Sequence, residues 1–346
     1  MSGVERVVEN LNQALGDLLD RNPDVYLLGE DVLDPYGGAF RATRGLSTRH
    51  PERVLATPIC EGALVGIANG LALMGATAIV EIMFADFVTL AFDQIVNFAA
   101  KSVSMYGHTV PMHVLVRCPT GGRRGYGPTH SQSLQKHFIG IPGLSVYEVS
   151  PFLDNGRLLN MALTSGGPAV LFEDKVLYGQ RMCRDGVVDD LFAYDLIDPT
   201  SGTTVVRMRG DTPCDCVLIA PGGLSSRVLA AARELFVQDE ICCQVVVPGR
   251  LYPVAVEPLL DLLGAAGLVC VIEDSSAGGT WGSEVATQIY QLLWGRLTRP
   301  VALLSAADSI IPSAAHLERE VLPQTEDIRD LVIGALRAST LHAQVQ

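Results

Sequence analysis

Two glutamates stand in apolar sequence between Thr57 and Phe87: Glu61 opens the run EGALVGIANGLALM, and Glu81 lies inside TAIVEIM. A carboxylate held in a dry interface keeps its proton more tightly than one in water, which suits it to share a proton with a nitrogen heterocycle. A helix dipole also favours an acid in the first turn, so Glu61 alone reads either way. Glu30 and Asp31 follow the apolar run at 25–28, which delivers them to the carboxyl end of a strand, the edge where open parallel sheets place ligands. Glu30 would serve equally well there as a cap for the next turn. The third feature is CPTGGRRGYGPTH, from Cys118 to His130. Its glycines let backbone wrap closely around a ligand, and His130 is a side chain that titrates near neutrality. Arg123 and Arg124 add positive charge, although a solvated pair would look the same. Met83 and Phe87 flank a strand-to-helix turn, where plain packing is the ordinary explanation.

These residues need elements to hold them. Pro58 suits a helix start, and Ile59 to Met74 is apolar nearly all round, which predicts a buried helix ended by Gly75. Gly62, Gly66 and Gly70 recur every fourth residue along one face of it, each costing about 1 kcal/mol against Ala. A bare stripe of this kind predicts close helix packing. Ahead of it come a helix over 4–19, stopped by Asn22-Pro23, and strands at 25–28 and 53–56; after it come a strand at 77–83 and one long helix through FADFVTLAFDQIVNFAAKSVSMY. Strands at 110–116, 144–149 and 169–172, with a helix at 153–163, complete an alternating pattern that means a doubly wound parallel sheet. The pattern loosens in DDLFAYDLIDPTSG, which places a linker at 191–212. Beyond it, strands at 216–220, 242–247, 269–273 and 301–304 alternate with helices at 224–236, 281–293 and 326–336. The expected fold class is therefore α/β, with two doubly wound parallel-sheet domains at 1–190 and 213–346.

With 346 residues, 48% apolar and 18% charged, the chain has material for about two cores. A net charge of -13 argues against nucleic acid or an anionic membrane surface as partner. The eight cysteines show no CxxC pair and no zinc-like spacing to histidine, so they read as reduced, packed thiols of a cytoplasmic protein. The acidic, amphipathic N-terminus fits neither a secretory signal nor a transit peptide, and glycine-broken apolar runs predict no membrane span.

Taken together, the blocks resemble a known family. Glu61, Gly66, Ile67, Gly70 and Leu71 form E-x4-G-Φ-x-x-G-Φ, where Φ is apolar; LLGEDV, YGGAFRATRGL, FDQIVNFAAK, GPTHSQS and IPGL follow at family-like spacing. This resembles the transketolase group of thiamine diphosphate enzymes, and more closely the beta subunit of the decarboxylating first component of 2-oxo acid dehydrogenase complexes. The resemblance implies that Glu30 faces the cofactor cavity, that Met83 and Phe87 lie against the aminopyrimidine, and that Glu61 hydrogen-bonds its N1′. It implies further that His130 moves protons beside the reacting carbon, with a lipoyl group on a transacylase as the acyl acceptor. Relatives bind diphosphate and magnesium through a GDG motif, and this chain has only RGD at 209–211. The phosphate and Mg2+ ligands are therefore expected on a partner alpha subunit, with no metal ligands here, in an alpha2beta2 assembly. Relatives also hold potassium through carbonyls near the positions of Val114, Ala162, Leu163, Ser165 and Gly167, a set that leaves no side-chain signature.

The chain departs from its relatives where Ile272-Glu273 replaces a His-Glu pair and VVVPGRLYPV replaces a DLRTLVP-like block. Two other readings stay open. One is half of a split transketolase-like enzyme that moves a two-carbon ketol unit; the other is a non-catalytic assembly subunit.

Overall fold

The computed structural model describes residues 5–210 and 213–343; Val4 of the first expected helix and Asp211 of the RGD triplet lie outside the described residues. In the first half, β1 (Val25–Gly29), β2 (Val54–Ala56), β3 (Thr77–Glu81), β4 (Val114–Thr120), β5 (Ser145–Glu148) and β6 (Ala169–Asp174) alternate with helices. These helices are α1 (Val7–Arg21), α2 (Leu46–Arg49), α3 (Glu61–Leu73), α4 (Ala100–Ser102) and α5 (Asn155–Leu163). The inner strands β4 and β6 are buried at every residue, which explains why they read as unbroken apolar runs. All six are mutually parallel, and their order is β5-β6-β4-β3-β1-β2. From β1 the chain passes to β2 on one side and then returns to β3 on the other. That reversal opens a crevice between the carboxyl ends of β1 and β3.

The second half holds β7 (Phe192–Asp198), β8 (Thr203–Met208), β9 (Cys216–Ile219), β10 (Cys243–Val247), β11 (Arg250–Tyr252), β12 (Leu268–Ser276) and β13 (Ala302–Ala306). Its helices are α6 (Ser225–Asp239), α7 (Leu260–Ala265), α8 (Trp281–Leu293), α9 (Ala315–Val321) and α10 (Thr325–Ala343). The second sheet runs β13-β12-β9-β10-β8-β7, parallel except at the β10–β8 and β8–β7 pairings. β11 leaves this half and pairs antiparallel with β5 of the first sheet.

Three expectations are corrected. Residues 192–198 and 203–208, expected within a linker, form an antiparallel hairpin on the second sheet. The turn residues that marked a linker lie at the hairpin's bend, and its outer strand is only partly buried. The long helix after β3 is a 3₁₀ segment (Ala85–Ala91), a π segment (Gln94–Ala99) and the short α4. The side chain of Asn69 donates to the Gln94 carbonyl at 3.0 Å, at the first residue of the π segment. Finally, α3 is buried on one side only. Leu64, Val65, Ala68 and Ala72 pack inward, while Ile59 just before it is 73% exposed, Ile67 50% and Met74 just after it 86%. The glycine stripe is met from outside at two positions: a Cβ on Gly62 would lie 3.3 Å from the Leu90 carbonyl and one on Gly66 3.4 Å from Gln94 Oε1, while Gly70 faces open space.

Candidate active site

The crevice between β1 and β3 gathers the predicted carboxylates. Glu30 follows β1 directly, and Glu61, the first residue of α3, enters from the helix after β2; they are 7% and 6% exposed. Both Glu30 carboxylate oxygens are buried without a hydrogen-bond partner. Burial first, and the neighbouring charge of Glu61 second, raise the Glu30 carboxyl to about 7, while the Cys60 amide pulls the other way without completing a hydrogen bond. Thr57 Oγ1, also buried, lacks a partner as well.

The raised proton affinity gives a testable slope. The folded state binds the Glu30 proton more tightly than the unfolded chain, so its contribution favours folding at low pH and is lost as pH rises from about 4.5 to about 7. Glu30→Gln is expected to flatten that part of the stability–pH curve in urea unfolding. An unchanged slope would mean that Glu30 is solvated.

Met83 and Phe87, on the turn after β3, are half-buried. The same turn carries Phe84 and Asp86. The His130 ring stands edge-on to Phe84 at 4.7 Å and to Phe87 at 5.1 Å between centroids, and Thr129 Oγ1 lies 2.9 Å from His130 Nδ1. Two loops are thus joined: Asp86 Oδ1 accepts from the Gln132 amide at 3.2 Å and from its side chain at 2.8 Å. The fold brings Glu30 near Glu61 and sets Phe87 against His130, contacts that the sequence reading did not specify.

Beneath the crevice lies a network that periodicity did not reveal. Arg117 Nε and Nη2 donate to both Glu173 oxygens at 2.7 and 2.9 Å, its Nη1 donates to Glu81 at 3.1 Å, and Tyr178 OH donates to Glu173 at 2.6 Å. All four side chains are buried. Gly38 sits at φ +83, and a Cβ there would come 2.5 Å from Glu81 Oε1, so glycine is required for the loop to close over this acid. Desolvation raises the Glu81 carboxyl and Arg117 opposes the rise. The available signal was an arginine inside the apolar strand VLVRCPT.

Arg123 is spent on structure: it ion-pairs with Asp174, and its amide donates to Glu318 Oε1 at 2.7 Å. Arg124 is exposed, with its guanidinium 5.7 Å from the ring centroids of Phe40 and Tyr126. Glu273 keeps a capping role beside Ile272, accepting from the Gly282 amide at 2.6 Å at the start of α8. At the potassium-like positions, Ser165 Oγ donates to the carbonyls of Ala162 (2.9 Å) and Gly167 (3.2 Å), and His113 Nδ1 to that of Leu163 (3.0 Å). Among the described residues, no three His, Cys, Asp or Glu side chains converge as metal ligands. No helix of these residues is long and apolar enough to cross a membrane.

The fold and crevice define a transketolase-type chain. Residues 6–180 match the family model described as the transketolase pyrimidine-binding domain, and residues 205–328 match the transketolase C-terminal domain. The chain is 31% identical to the pyruvate dehydrogenase E1 component subunit beta-2 of Oryza sativa, over 93% of this chain and 84% of that one. It is 33% identical to a 2-oxoisovalerate dehydrogenase subunit beta of Arabidopsis thaliana (90% and 87%), and 30% to the acetoin:2,6-dichlorophenolindophenol oxidoreductase subunit beta of Cupriavidus necator (92% and 93%). It therefore belongs to the transketolase family, in the branch of 2-oxo acid dehydrogenase beta subunits. Among solved structures, a split-gene transketolase in an inactive beta4 tetramer shares the fold at TM-score 0.72 and 20% identity, covering 96% of this chain and 98% of that one. The transketolase of Campylobacter jejuni matches at TM-score 0.65 and 15% identity; this chain spans 46% of its length.

Proposed function

We propose that this chain is the catalytic beta subunit of a thiamine diphosphate-dependent 2-oxo acid dehydrogenase, holding the pyrimidine end of a cofactor whose diphosphate and Mg2+ are held by an alpha subunit. The observation that carries this reading is Glu30 beside Glu61: two buried carboxylates at a switch-point crevice, one with both oxygens unpartnered and its proton affinity near neutrality. An aminopyrimidine supplies the donors and acceptors that such a pair lacks. When bound, thiamine diphosphate supplies the nucleophilic carbon and the electron sink that decarboxylation requires.

The protein's own residues do the rest. Glu61 holds and moves a proton at the pyrimidine nitrogen. With its carboxyl raised to about 7 by burial first and by Glu61 second, Glu30 is only partly ionised near neutral pH. Met83 and Phe87 wall the ring and exclude water. His130, held at that wall by Phe84 and Phe87, moves protons at the substrate or at the acyl acceptor, a lipoyl group or similar carrier. The partner alpha subunit covers the apolar face of Ile59, Ile67, Met74 and Leu90 in an alpha2beta2 assembly, because exposed apolar patches of this kind are interaction surfaces. The buried cysteines support a cytoplasmic location.

A second reading, ketol transfer from a ketose phosphate, draws on the exposed guanidinium of Arg124. The two part in one experiment, in which the chain, alone and with a GDG-bearing alpha subunit, is given pyruvate, 2-oxoisovalerate or xylulose 5-phosphate. The expected result is CO2 release from a 2-oxo acid by the pair and by neither chain alone. Sugar consumption without CO2 would transfer the assignment to ketol transfer, and turnover by the isolated chain would end both.

A further inference from the structure

Lys175 has no part in the scheme above. It follows β6 directly, its amide donating to the Thr120 carbonyl at 3.0 Å, and its side chain is fully buried. A buried ammonium is costly unless it is hydrogen-bonded or paired. Its Nζ donates to the backbone carbonyl of His130 at 2.8 Å and lies 5.4 Å from the ring centroid of Phe84 and 5.9 Å from that of Tyr126. Burial lowers the Lys175 ammonium to about 8; Asp86 and Asp174 favour its charge, and Arg124 and Arg123 oppose it.

The loop that carries His130 is irregular, with Gly121, Arg123, Gly125 and Gly127 all at positive φ, so no helix or strand ladder holds it in place. Its ends are tied elsewhere. Thr120 Oγ1 and the Gly121 amide donate to the Gln132 carbonyl at 3.0 and 3.1 Å, and the Arg123 amide reaches Glu318. Lys175 grips the residue that matters, at its own carbonyl. It also lies against Phe84, the same ring on which the His130 imidazole rests.

We propose that Lys175 is a positioning residue for His130, fixing both the backbone from which the imidazole hangs and the aromatic wall that sets its angle. The proposal rests on the role given to His130. A charge-assisted hydrogen bond on the carbonyl holds the ring within the small tolerance that proton transfer allows, where a displacement of about 1 Å costs on the order of 10²-fold.

The test uses the chain assembled with its alpha subunit and its 2-oxo acid substrate. Lys175→Met removes charge and donors at similar length. It is expected to lower kcat about 10- to 100-fold, with KM within about twofold. Amide hydrogen exchange across 121–131 should quicken, and Lys175→Met added to His130→Ala should cause little further loss, because the two act as one unit. Normal kcat and unchanged exchange in Lys175→Met, with His130→Ala impaired, would overturn the inference about Lys175 alone. Normal turnover by His130→Ala would remove the role on which it rests. Should Lys175→Met fail to assemble, Lys175→Leu, which also lacks the charge and the donor, gives the same comparison: faster exchange with reduced kcat supports the proposal, and wild-type values of both reject it.

Discussion

Glu61→Gln, prepared together with the alpha subunit, is expected to fold and assemble yet lose about 10³-fold or more in turnover, the equivalent of about 4 kcal/mol of barrier. Glutamine preserves the shape and the hydrogen-bonding reach of the side chain but cannot pass a proton. The substitution is nearly isosteric at a buried position, 6% exposed. The variant also carries an independent signature. Glu61 is the second-largest cause of the raised Glu30 proton affinity, so its loss should move the Glu30 midpoint downward from about 7. Near-normal CO2 release by the variant would remove the central role given to this acid.

The second large effect lies below the crevice. Arg117 is the sole bridge among the described residues between Glu81 and Glu173, both fully buried. Arg117→Met would leave two carboxylates without compensation, and breaking a buried ion pair on one side costs about 3–5 kcal/mol. For a chain of this size the midpoint of thermal unfolding should fall on the order of 10 °C. The deficit should shrink as pH is lowered, because uncompensated buried acids take up protons readily and become neutral. Scanning calorimetry at pH 8 and pH 6 reads both effects; equal midpoints for variant and wild type at both pH values would show that the network carries no stability.

The contrast between these two sites shows what a sequence exposes. Glu61 is legible because its surroundings are patterned: a proline, a glycine every fourth residue and a following apolar strand fix the helix, and the helix fixes the acid at its first turn. The strand ends that carry Glu30 and Phe87 are legible for the same reason. Arg117 and Lys175 are not, because a charged residue next to an apolar run reads equally well as a strand boundary, and only the third dimension brings Glu173 or the His130 carbonyl to meet it. The hairpin at 192–208 was hidden by the turn residues at its bend. The broken helix after β3 was hidden because contacts from residues distant in sequence, such as the hydrogen bond from Asn69 to the Gln94 carbonyl, leave no mark on its apolar spacing.

The short strand β11 has a consequence for how the molecule can be divided. Although it belongs to the second half in sequence, it closes the outer edge of the first sheet by pairing with β5. A chain truncated at the boundary between the two family domains would leave the backbone donors and acceptors of β5 bare, a template for edge-to-edge aggregation. Fragments cut between the two halves are therefore expected to expose this edge, which makes them poor reagents for dissecting either.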